Sequence, residues 1–150
     1  MTPRKPLSLL ALAAALLLLL FGCEAGPKSS AGFRLPDGDP ARGRQVVLDM
    51  KCYVCHRVVG GDFPGPSAQP PVPVVLGGDV PYTKTDGELV TSIINPSHRI
   101  APAARTEQVR SGQGSRMPDY GELMTVRQMV DLVAFLHSRY KVIRPGVPPK

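Results

Sequence analysis

The sequence predicts a small all-α domain with three main helices. Three stretches carry apolar residues at helical spacing behind good N-caps, and no run of useful length alternates with period two. Most of the 17 Pro and 15 Gly of the 150-residue chain are left to long loops. A chain of this length holds one domain plus appendages. Its 4 Tyr and 4 Phe are its only aromatics, so three short helices would enclose a thin core, and a non-protein group is needed to fill the middle.

The first helix is expected over residues 40–50. Asp39 is a good N-cap and Pro40 suits the first helical position, while Val46, Val47 and Met50 share one face. Gly43 lies one turn earlier on the same side. A mid-helix Gly costs about 1 kcal/mol relative to Ala, so Gly43 is either a close helix crossing or a weak spot. The second helix begins near Thr85, where Thr85-Asp86-Gly87-Glu88 has capping-box spacing. Leu89, Ile93 and Ile94 supply its apolar face, and Asn95-Pro96 ends it. The third has the clearest signals. Thr125-Val126-Arg127-Gln128 is a capping box, and Met124 and Met129 stand at the positions of a hydrophobic staple. Val126, Met129, Val130, Val133, Leu136 and Tyr140 then repeat at helical spacing, with Pro145 as the closing signal.

The amino terminus reads as an address. Arg4 and Lys5 precede an uncharged, almost pure Leu and Ala run from residue 7 to 21, the charged and apolar regions of an export signal. That run is short for a bilayer core, which needs roughly 20 helical residues. Its end, Leu20-Phe21-Gly22-Cys23, resembles the lipobox of bacterial lipoproteins, although Phe21 is bulkier than usual there. The resemblance implies a signal peptide over residues 1–22 and a lipidated Cys23. The alternatives are an uncleaved anchor and an ordinary signal peptide. Residues 23–37 have no apolar periodicity and read as a flexible tether. The folded domain is expected over residues 38–143, with a tail over 144–150.

Charge excludes little. The formal net charge of +6 falls to about +4 without Arg4 and Lys5, too weak a basic bias to imply nucleic acid. Three cysteines are too few for a disulfide scaffold. Two of them stand in Cys52-Tyr53-Val54-Cys55-His56, directly after the first helix, and C-x-x-C-H is the attachment signature of c-type haem. Two thiols at this spacing add across the two vinyl groups on one porphyrin edge, and the next residue brings an imidazole under the iron. A thioredoxin-type motif would need a βαβ setting, and zinc would need further ligands.

With these residues the chain resembles the small class I cytochromes c over residues 38–140. The shared features are an N-terminal helix, Cys52-x-x-Cys55-His56, a Gly-Pro loop, a middle helix, a Met-Pro turn and a C-terminal helix crossing the first. The resemblance implies one covalent haem c held by Cys52 and Cys55, with His56 and Met117 of Arg116-Met117-Pro118-Asp119-Tyr120 as axial ligands. It also implies that a Gly-Pro carbonyl orients His56. Gly65-Pro66 matches best, with Pro70, Pro71 and Pro73 leaving that open. Gly43 would meet the last helix near Leu132 or Phe135. His98 is the rival sixth ligand, and His137 reads as a solvated or rim residue.

A saturated iron carries single electrons and has no position for a substrate. The expected function is therefore that of a membrane-tethered electron carrier outside the cytoplasm, not an enzyme, with redox proteins as partners and neither nucleic acid nor a small-molecule substrate. The alternatives are a haem subunit of a larger oxidoreductase, and a ligand-binding or catalytic haem protein if Met117 does not hold the sixth position. Arg99, Arg105, Arg110 and Arg116 against Glu107 alone form either a basic docking rim or an ordinary solvated loop.

Overall fold

The computed structural model describes residues 33–68, 72, 74–82, 84–100 and 108–143. The export signal, Cys23, the tether up to residue 32, Pro70, Pro71, Pro73, Arg105, Glu107 and the tail from residue 144 lie outside the described residues.

Helix α1 spans Pro40–Asp49, and Asp39 caps it by accepting from the Ala41 and Arg42 amides. Helix α2 spans Asp86–Ile94 and helix α3 spans Val126–Arg139. Both are closed at the front by complete capping boxes, Thr85 with Glu88 and Thr125 with Gln128. The local signals therefore set all three starts.

The core is the seam where these helices meet. Val46 and Val47 from α1, Leu89 and Ile93 from α2, and Met129, Leu132, Val133, Phe135 and Leu136 from α3 are buried together with Val58. Helices α1 and α3 approach closely at Gly43, where a Cβ would fall 2.6 Å from both the Asp131 carbonyl carbon and the Phe135 Cβ. The crossing thus meets Phe135 as expected, with Asp131 rather than Leu132 as its other member. Asp131 is buried, and its carboxylate accepts from the Asp39 amide at 2.8 Å and from Arg42 Nε and Nη2 at 2.8 and 3.2 Å. The Arg42 guanidinium, then the Asp39 amide, hold the Asp131 carboxyl below the usual carboxylate range. One side chain therefore ties the cap of α1 to the middle of α3.

Three expectations need correcting. Ile94 is 38% exposed and Val126 80% exposed, so neither belongs to a buried face. Val126 opens α3, and the buried stripe starts one turn later at Met129. The last helix also stops at Arg139, well before Pro145. Tyr140 takes extended dihedrals, φ −84° and ψ 136°, and joins strand pairing.

That pairing qualifies the all-α expectation. Among the described residues, six strands of two or three residues form three separate pairs. Strand β1 (Arg57–Val58) runs parallel to β2 (Val75–Leu76), β3 (Gly78–Val80) parallel to β6 (Tyr140–Val142), and β4 (Arg110–Ser111) antiparallel to β5 (Gly114–Ser115). Strands this short cannot show a period of two in sequence, and they act as clips between loops rather than as a sheet. His137 is likewise more than a rim residue, because its Nε2 meets the Asp86 carboxylate at 2.9 Å and links α3 to the start of α2.

Candidate functional site

The site is built on the chain reversal that follows α1. Lys51 adopts φ 54° and ψ 34°, the left-handed conformation that a side chain disfavours, and this turns the backbone out of the helix. A 3₁₀ turn over Cys52–Val54 follows, and the Cys52 carbonyl accepts from the amides of Cys55 at 3.3 Å and His56 at 2.9 Å. Cys52, Cys55 and His56 are therefore held within one compact turn. Both cysteines are free thiols and half-buried. Burial pushes the Cys52 thiol up to about 11.

His56 is buried, and its Nδ1 lies 3.0 Å from the Val74 carbonyl oxygen. A carbonyl only accepts, so Nδ1 carries the proton and Nε2 keeps its lone pair. Burial lowers the His56 pKa, with the Val74 carbonyl working the other way, which favours the neutral ring. The partner differs from the expected Gly65-Pro66. Strand register explains the difference: β1 and β2 pair Arg57 with Val75, so the residue before each, His56 and Val74, stand side by side. Gly65 and Pro66 are exposed, and a Cβ at Gly65 meets nothing within 4 Å. Their loop is tied instead at its next residues, where the Ser67 and Ala68 amides both donate to the Val54 carbonyl at 3.0 and 2.9 Å. Sequence reasoning missed Val74 because a two-residue parallel clip leaves no pattern to read.

Met117 is half-buried, and its amide donates to Ser115 Oγ at 3.1 Å. Three residues on, Tyr120 packs against the core. Burial, then the neighbouring Cys52 and Cys55 thiols, raise the pKa of its phenol, so the end of the Met-Pro segment borders the cysteine turn. The Tyr120 amide also meets the Ile93 carbonyl at 3.4 Å, which seats this segment on the end of α2. His98 is exposed beyond α2, in a turn closed by its amide on the Asn95 carbonyl at 3.0 Å.

The donor set thus combines two free thiols in one turn with a neutral imidazole whose outer nitrogen is fixed, a combination that fits a porphyrin attached through sulfur and ligated through nitrogen. The family model for cytochrome c matches residues 40–139. The chain belongs to the cytochrome c family. No curated protein and no solved structure matches it. The match to the cytochrome c family begins at Pro40, the first residue of α1, and ends at Arg139, the last of α3. Cytochrome c membership carries with it a covalently bound haem c and a role in electron transfer. The three helices fit the cytochrome c fold, with the short strand pairs added to it.

Proposed function

We propose that this cytochrome c is a lipid-tethered, single-haem electron carrier that works between redox proteins outside the cytoplasm. Haem c, when bound, supplies one iron that alternates between ferrous and ferric. Cys52 and Cys55 would fix the porphyrin through thioethers. His56 would offer Nε2 and Met117 its thioether sulfur to the iron. The observation that carries this reading is the hydrogen bond from His56 Nδ1 to the Val74 carbonyl. It holds the ring in the tautomer that leaves the Nε2 lone pair free for a metal and fixes the ring's orientation. Two protein ligands leave no position for oxygen or a substrate, so one-electron transfer is the activity and catalysis is not.

The tether belongs to the same proposal. Cys23 follows an apolar leader, and a diacylglycerol there with a further acyl chain anchors stably where one chain would be marginal. The thirteen residues 24–36 would give the domain a typical reach of about 20 Å from the bilayer as a flexible chain.

The test is the mass and haemochrome spectrum of the protein purified from membranes, alongside Cys52→Ala, Cys55→Ala and the double variant. One haem that survives acidic acetone extraction, one remaining thioether in each single variant and none in the double variant are expected. Haem extracted freely from the wild type would refute the attachment. Recovery of the wild type in the soluble fraction without lipid mass would refute the tether while leaving the haem reading intact.

A further inference from the structure

The hydrogen bond that orients His56 depends on a strand pairing too short to fix itself. Strands β1 and β2 match only Arg57 with Val75 and Val58 with Leu76, and one further bond, from the Val59 amide to the Leu76 carbonyl at 2.8 Å, extends them. So few bonds specify register weakly, and a slip of one residue would take the Val74 carbonyl away from the His56 ring. Something outside the two strands must hold them in step.

Just past the pairing each strand reaches a glycine with positive φ, Gly60 at +72° and Gly77 at +89°. Both glycines lie against Arg139, the last residue of α3. A Cβ at Gly77 would stand 2.7 Å from the Arg139 Cβ and 3.1 Å from its carbonyl oxygen, and the next residue, Gly78, pairs with Tyr140. The Arg139 backbone therefore sets where β2 ends. Its side chain reaches the other strand, where Nη1 donates to the Gly60 carbonyl. The guanidinium is itself held in place. Its carbon lies 5.2 Å from the centroid of the Phe135 ring, part of the buried core, and its Nε donates to Ser138 Oγ at 3.1 Å.

We propose that Arg139 is a positioning residue for the His56 ring: it clamps the exits of β1 and β2 together and so keeps the Val74 carbonyl on Nδ1. The proposal rests on the reading of His56 as an axial ligand and says what holds that ligand in place. Arginine suits the task because its planar fork lies on an aromatic face while its edge donates to a carbonyl. Without the clamp the two strands part at Gly60 and Gly77, and the bond from Nδ1 to Val74 loosens. The Nδ1 proton then meets water, and the imidazole becomes a less basic ligand.

The isotope-labelled ferrous holoprotein tests this by NMR. Solvent exchange of the His56 Nδ1–H is compared in wild type, in Arg139→Met, which keeps an apolar stem without a donor, and in Arg139→Lys, which returns a charged donor. Exchange at least tenfold faster in Arg139→Met and largely restored in Arg139→Lys is expected, with a midpoint potential that rises in Arg139→Met because a less basic imidazole stabilises ferric iron less. Equal exchange in wild type and Arg139→Met overturns the proposal. So does an acceleration shared equally by the amide of buried Val47 in α1, which would report a general loosening. Should Arg139→Met lose its helical circular dichroism, the wild type decides: an Arg139 Nε–H protected from solvent supports the clamp, and one exchanging at the free-arginine rate overturns it. His56 ring-proton signals without the upfield shift of a haem ligand would refute the axial reading and the clamp with it. Shifted signals with unchanged exchange refute the clamp alone.

Discussion

Gly43 of α1 rests against the backbone of Asp131 of α3, and a Cβ at position 43 would come within 2.6 Å of the Asp131 carbonyl carbon. The atoms in the way are backbone, so they cannot rotate aside. This resolves the ambiguity of a mid-helix Gly in favour of a close crossing.

Gly43→Ala is therefore expected to destabilise the domain. The propensity gain of about 1 kcal/mol offsets part of an overpacking cost of about 1–3 kcal/mol, and since backbone stands in the way the cost lies at the upper end, a net loss of about 2 kcal/mol. Thermal unfolding of the two proteins measures it. Gly65→Ala, where a Cβ meets nothing, should leave the transition within about 0.5 kcal/mol of wild type. Equal stability of Gly43→Ala and wild type would mean the helices cross elsewhere.

Asp131 makes stability depend on acid. Its carboxyl is depressed in the folded protein, first by the Arg42 hydrogen bonds and then by the Asp39 amide. The stability it contributes is present above the unfolded Asp value of about 3.9 and is lost as pH falls through the lower folded value. Wild type should lose Tm on acidification below about pH 4. Asp131→Asn should start lower at neutral pH and show a flatter acid limb. Parallel Tm profiles for the two proteins would remove Asp131 from the acid response.

The Thr125 cap can be tested in isolation because the residue is exposed and its bonds are local: the Gln128 amide donates to Thr125 Oγ1 at 3.2 Å, and the Thr125 amide donates to the Gln128 side chain at 2.8 Å. Thr125→Ala should cost about 1 kcal/mol, and Thr125→Ser should cost much less. Denaturant titration separates them.

Much of the fold was legible because its signals are local. Asp39, Thr85 and Thr125 announce the three described helix starts within four residues of each, and the spacing of Cys52, Cys55 and His56 points to the covalent haem that membership of the cytochrome c family carries. What escaped depends on residues far apart in the chain. The Asp131 bond to Arg42 crosses 89 positions and the His137 contact with Asp86 crosses 51, so neither leaves a pattern along the sequence. Val74 was missed in favour of Gly65-Pro66 for a related reason, since a parallel pairing of two residues sets which carbonyl reaches His56. Tyr140 continued the helical spacing of α3, yet its backbone follows β3, an alternative the one-dimensional pattern does not contain.

If Met117 closes the iron, its removal opens a position. Met117→Ala should bind carbon monoxide in the ferrous state at neutral pH where wild type does not, with the helices intact by circular dichroism. Carbon monoxide binding by wild type at comparable affinity would place this chain among ligand-binding haem proteins.

The most direct test of the account is magnetic circular dichroism of the oxidised wild-type protein at the near-infrared edge, where sulfur bound to ferric haem iron gives a charge-transfer band. The account predicts that band in wild type and its loss in Met117→Ala. A wild-type spectrum without it, or a band unchanged by Met117→Ala, would contradict the pairing of His56 with Met117 on which single-electron transfer here depends.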